Sequence, residues 1–204
     1  GKGNAYESDL RDKKHGRIYR VVPTAADKDT LHDWSNLAKA TDLELVQVLK
    51  HPSFNWRLQA QRLLIERDAG NTGDVLQPLL ALLADESVDE IGLNVGAIHA
   101  AHTLNGLGYM PLDRRVKSAS VVGPVVRKAL SHPSAAVRRN VIAVLPHDEF
   151  GLAALVDNMD AIVQKEKDAQ VLLQMFLTLS EMPATDEAAG MIFEFASSGI
   201  TDQV

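Results

Sequence analysis

His99 and His102 are the imidazoles best spaced to share a metal ion, since residues three apart lie on one side of a helix. Asp85, Glu86, Asp89 and Glu90 stand upstream with oxygen donors, but the spacing fixes no third ligand. The pair therefore reads as helix-surface or hydrogen-bonded histidines, and no metal or other cofactor is expected. A metal- or small-ligand-binding module centred on His99 is the alternative. The same carboxylates come as adjacent pairs that point around a helix, which suits solvated turns better than general acid and base work. No Ser/His/Asp or Cys/His grouping has local support. Ser118, Ser120 and Ser134 read as cap or loop residues, so no catalytic residue is assigned and the chain is not expected to be an enzyme. Gly92 and Gly96 would each cost about 1 kcal/mol in a helix interior, which implies close approach of another helix or, alternatively, of a ligand. Gly106-Leu107-Gly108 is no phosphate loop, because no strand precedes it and no Gly-Lys-Ser/Thr follows.

Composition narrows the remaining chemistry. With no cysteine in 204 residues, disulfides, thiolate nucleophiles, thiolate metal sites and covalent c-type haem attachment are excluded within this chain. Residues 1–22 carry six basic and three acidic side chains, a balance of +3, so the remainder holds −9 of the net −6. A negative body repels a phosphate backbone, and no nucleic-acid partner is expected. No run of 18 or more apolar residues appears, and no apolar signal core opens the chain, so no membrane insertion is expected. The start at Gly1-Lys2-Gly3 and a helix still running near Ser198 suggest a segment of a longer protein.

The elements that would carry these groups are mostly helices, since 46% of residues are hydrophobic and only 5% aromatic. Residues 1–30 are the exception. Tyr6, Ile18, Tyr19, Val21 and Val22 are strand formers around the charged turn Asp12 to Gly16, which predicts a short hairpin or extended arm and then a linker. Residues 31–204 read as helix pairs at about 41–69, 74–107, 118–146 and 149–181, with a lone helix at about 185–198. Thr41-Asp42-Leu43-Glu44 predicts a capping box for the first helix, and Pro52 ends it.

The strongest signal is repetition. His51-Pro52-Ser53-Phe54-Asn55-Trp56-Arg57 returns 81 residues later as His132-Pro133-Ser134-Ala135-Ala136-Val137-Arg138. The same shift carries Trp56, Ala60, Leu63 and Leu64 onto Val137, Val141, Val144 and Leu145, the spacing of a buried helical stripe. Leu93, Ala97, Ala100 and Ala101 are assigned to that stripe in the middle pair, and Ala169, Leu173, Phe176 and Leu177 in the fourth. His51 and His132 are placed to satisfy the last carbonyls of the preceding helix. A shift of two repeats of roughly 40 residues is the signature of stacked helix pairs.

Pro52 to Arg57 and Pro133 to Arg138, with the apolar residues that follow, resemble the second-helix motif of HEAT repeats. The resemblance covers roughly residues 41–198. It implies an all-α, armadillo-like, right-handed α-solenoid of about four HEAT-like helix pairs, in which Pro52, Arg57, Pro133 and Arg138 are structural. The arginines would hold neighbouring repeats through acidic or carbonyl partners. The middle copy departs from the motif, with no proline and with Asn94 where the arginine would fall. Residues Asn4-Ala5-Tyr6, Asp9 and Gly16 to Val21 are similar to the closing strands of sugar-dehydrogenase-like β-propellers. In large bacterial multidomain proteins such a propeller precedes HEAT repeats and a cytochrome c domain, which implies a periplasmic or extracytoplasmic connector.

Stacked second helices line the inner groove of a solenoid. The positions beside the stripe are Asn55, Gln59, Arg62 and Glu66, then His99, then Asn140, then Leu172, Met175 and Leu179, a row that turns apolar toward the C-terminus. These residues are the expected partner-binding groove. The function expected is a noncatalytic scaffold or interdomain connector that contacts protein, either a neighbouring domain of the parent chain or another molecule. A HEAT-like DNA glycosylase is the enzymatic alternative, though Arg62 is the one fixed cation in this row.

Overall fold

A computed structural model describes residues 16, 37–69, 74–110, 118–158 and 166–197, the side chains of 195–197 excepted. The chain divides into units Gly1–Ser35 and Asn36–Val204, and the helices belong to the second. The predicted hairpin arm and linker over residues 1–30 lie outside the described residues, Gly16 apart. The fold is all-α: the described residues form nine α-helices and a 3-10 turn at Leu37–Lys39, with no strand among them.

The helices are α1 Asp42–Val48, α2 Phe54–Glu66, α3 Leu76–Leu83, α4 Val95–Gly106, α5 Ala119–Ala129, α6 Ala135–Ala143, α7 Glu149–Val156, α8 Ala169–Glu181 and α9 Asp186–Ser197. Local chemistry accounts for their starts. At α1 the Thr41 hydroxyl accepts from the Glu44 amide and the Glu44 carboxylate accepts from the Thr41 amide, so the capping box forms as expected. Asn94, Asp148 and Asp168 accept first-turn amides at α4, α7 and α8 in the same manner, relieving donors that no helical carbonyl can reach. At α7 no side chain larger than glycine fits residue 151, because a Cβ there would run into the Pro146 carbonyl oxygen.

Packing follows a nearest-neighbour scheme. Helices α2, α4, α6 and α8 form one row, each against the next, while α1, α3 and α5 form another, and α9 packs on α7 and α8. Burial of aliphatic side chains between and within the rows drives the association, and Leu45, Leu49, Leu64, Leu79, Leu83, Leu104, Leu130, Ile142 and Met175 are fully enclosed.

The N-cap residues Ser53, Asn94, Ser134 and Asp168 give the second helices a common register, with starts 41, 40 and 34 residues apart. In that register Ala60, Leu64, Val137, Val141, Val144 and Leu145 are buried as predicted, with Trp56 and Leu63 half-buried. Two assignments need correction. In the middle pair Asn94 caps the helix rather than filling the arginine slot, which Ile98 takes, and Leu93 precedes the helix. That four-residue slip is close to one helical turn, so Ala97, Ala100 and Ala101 remain buried. In the fourth pair the slip is two residues, more than half a turn, and it exchanges the faces. Val171, Met175, Thr178 and Leu179 occupy the buried slots, while Leu173 and Leu177, predicted as core, are each 52% exposed. Gly92 also leaves the helix interior, lying at φ +80 in the turn before α4, whereas Gly96 stays in the first turn of α4, where a Cβ would meet the Lys50 side chain at 2.9 Å.

Candidate functional site

The repeated His-Pro-Ser motif builds the same turn twice. His51 Nδ1 accepts the Ser53 amide at 3.0 Å and His132 Nδ1 accepts the Ser134 amide at 2.9 Å. The imidazoles thus cap the start of the following helix, where the sequence reading had them capping the end of the preceding one. Proline explains the choice: it donates no hydrogen bond and presses the chain into an extended turn, which brings the serine amide back onto the ring. The arginine four residues after each serine then folds over the turn. Arg57 Nη1 donates to the His51 and Pro52 carbonyls at 2.6 and 2.8 Å, and Arg138 Nη1 to the His132 and Pro133 carbonyls at 2.7 and 3.1 Å. His132 Nε2 meets the Asp85 carbonyl at 2.8 Å and the Ser134 hydroxyl donates to the Gly92 carbonyl at 2.7 Å, so the third pair rests on the main chain of the second.

Beyond this shared clamp the two arginines differ. Arg138 presents Nε and Nη2 side-on to Glu166, with contacts of 2.6 and 2.8 Å, joining α6 to the turn that opens α8. Burial raises the Glu166 carboxyl, but Arg138 and the Asp168 and Lys167 amides outweigh it, so the group is held below the usual carboxylate range. Arg57 has no such acid among the described residues. It is only 8% exposed, its Nε is buried without a hydrogen-bond partner among the described residues, and burial lowers its pKa. The Phe54 ring lies against it, 5.7 Å from guanidinium carbon to ring centroid, and that ring is exposed. The register accounts for the difference, since the position two before the cap is Glu166 in the fourth pair and Gly92 in the second.

Between the second helices run polar links. His99 Nδ1 meets Gln61 Oε1 at 2.7 Å, joining α4 to α2, and His102 Nε2 meets Asn140 Oδ1 at 2.8 Å, joining α4 to α6. The two imidazoles therefore engage opposite neighbours, and among the described residues no group of three or more ligating side chains surrounds them. Burial pushes His99 down to about 4, with coulombic interactions with Arg57 and His102 adding to the effect. His99 is therefore neutral at pH 7 in the folded protein, and its depressed value makes stability fall as pH drops from about 6.5 toward 4, where only the unfolded chain takes up the proton. His99→Gln should remove about 2 kcal/mol of the stability loss between pH 7 and pH 4.5. Urea unfolding of both proteins at the two pH values checks this; equal losses would show that His99 titrates normally.

The remaining groove residues separate. Asn55, Gln59, Arg62 and Glu66 form an exposed row on α2, with Arg62 and Glu66 3.6 Å apart as an i, i+4 pair. Asn140 is half-buried and bound to His102. His99, Leu172, Met175 and Leu179 are buried and do not line a surface, a correction that follows from the fourth-pair register and from the packing of α4 between α2 and α6. By the same register the row continues on α8 as Gln170, Gln174, Leu177 and Glu181, and the exposed Leu173 stands beside it at the place of Leu58. Sequence reasoning also missed a groove of about 290 Å³ beside α7, lined by Leu152, Ala153 and Val156 with Pro183, Thr185 and Glu187. Among the described residues no helix is long and apolar enough to cross a membrane. No family model, curated protein or solved structure matches this chain.

Proposed function

We propose that this chain is a noncatalytic helical-repeat scaffold of HEAT type, with right-handed stacking, that connects domains of a larger protein through protein contacts on its C-terminal pairs. The supporting observation is the exposure of Leu173 and Leu177, one turn apart on α8 and each 52% accessible. Large aliphatic side chains set together on an exposed helix face mark a surface that another molecule covers. Ile192 and Phe193 add exposed apolar area on α9, and the groove beside α7 supplies a concave seat of matching character. Such a reading also accommodates the extracytoplasmic oxidoreductase context, in which the repeats would space a propeller from an electron-transfer domain.

Cross-linking in the full reading frame tests this. A benzoylphenylalanine at 173 or 177 is expected to form one defined adduct with protein, and the same group at the exposed Gln170 is expected to form little. Equal adducts at all three positions, or substrate turnover by this chain alone, would overturn the proposal.

A further inference from the structure

Two arginines hold equivalent places in the repeat and perform the same turn clamp, yet one has its side-on edge paired with a carboxylate, whereas the Nε of the other is enclosed with no hydrogen-bond partner among the described residues. We propose that Arg57 is a carboxylate-binding site, whose ligand takes at Arg57 the position that Glu166 takes at Arg138. The fork of Nε and Nη2 matches the two oxygens of a carboxylate, which is the geometry that the chain itself displays two repeat pairs later. A guanidinium that is 8% exposed and lacks an acid partner among the described residues carries an unmet desolvation cost, so an arriving anion gains more from it than from a surface arginine. Nη1 is already fixed by the His51 and Pro52 carbonyls, which holds the fork in one orientation.

The surroundings define the ligand further. Nε is enclosed, so entry of a ligand requires side chains over it to move, and Phe54, exposed and lying against the guanidinium, offers a ring face to an apolar or aromatic portion of the ligand. His99 is 6.0 Å from the Phe54 ring, is neutral at pH 7 and brings no competing charge. Gly92, at the place of Glu166 in the register, extends no acid toward Arg57, and a Cβ built on it would meet nothing within 4 Å. The favoured ligand is thus a carboxylate carrying an adjacent apolar group. This site goes beyond the scaffold reading and does not depend on the contacts of α8.

The test follows the side-chain Nε–H resonances of the arginines by nuclear magnetic resonance during titration of the whole chain with sodium benzoate at constant ionic strength. A saturable shift at Arg57, with Arg138 unmoved because Glu166 already occupies it, is expected. Benzamide should give no shift. Parallel titrations with a peptide bearing only a glutamate side-chain carboxylate and one bearing only a terminal carboxylate identify which source fits. Phe54→Ala should weaken binding about two- to fivefold, the loss of one cation–aromatic contact. An Arg57 resonance that stays still, or that moves no more than that of the exposed Arg62, overturns the site. Either result is independent of cross-linking at 173 and 177.

Discussion

Arg138→Met should lower the free energy of unfolding by about 3 to 5 kcal/mol, whereas Arg57→Met, which removes the matching side chain one motif earlier, should cost about 1 kcal/mol. Both changes sacrifice two hydrogen bonds to turn carbonyls and keep an apolar stem of similar length. Only the first strands an acid. The Glu166 side chain is 4% exposed, and without Arg138 its charge stays buried against two amides alone. Because Glu166 is held below the ordinary carboxylate value, its contribution in the wild type is present above about pH 4.3 and fades as pH falls through the folded-state value. Arg138→Met should reverse that dependence, its carboxyl now raised by burial, so that mild acid narrows the gap between the two proteins. Urea denaturation at pH 7 and pH 5 measures both effects. Equal costs for the two methionine variants would mean that the Glu166 pairing adds nothing.

Met175→Ala should cost about 3 kcal/mol and Leu177→Ala less than about 0.5 kcal/mol, although the two stand two residues apart on α8. Met175 is fully enclosed between α8 and α6, so truncation leaves a cavity; Leu177 loses contacts that water already shares. Thermal or urea unfolding of the pair decides the register of the fourth helix pair. The opposite order of costs would restore the face assignment drawn from sequence.

That assignment illustrates what the sequence makes legible. The first helix pair was readable because its borders are chemical: Thr41 with Glu44 and Pro52 act within a few residues of themselves, whereas the capping aspartates Asp148 and Asp168 emerge only in the fold. The buried stripe of α2 and α6 was readable because a shared motif fixes its phase. Where no motif recurs, as at α4 and α8, phase was inferred from apolar residues alone, and α8 is apolar on more than one side: Val171, Leu172, Leu173, Phe176 and Leu177 all satisfy some helical stripe. A two-residue error there moved Met175 and Leu179 from core to surface. The Arg57 site was legible as a residue and not as a vacancy of charge, since the difference from Arg138 depends on an acid 28 residues downstream of one arginine and lacking for the other. The roles of His51 and His132 were missed for a related reason: a histidine before proline can reach either direction along the chain, and only the folded turn selects the serine amide.

The irregular stretch between α3 and α4 holds a final implication. His132 and Ser134 seat themselves on it through the carbonyls of Asp85 and Gly92, and Asn94 braces it from within by donating to the carbonyls of Asp85 and Ser87. Main-chain oxygens are supplied by every amino acid, so the side chains of Val88, Glu90 and Ile91 can vary while the count of residues is locked, Asp89 being held by the Ile91 and Leu93 amides that its Oδ1 accepts. Related chains should accordingly differ in spelling there but not in length, the reverse of the usual tolerance of surface connections for insertions.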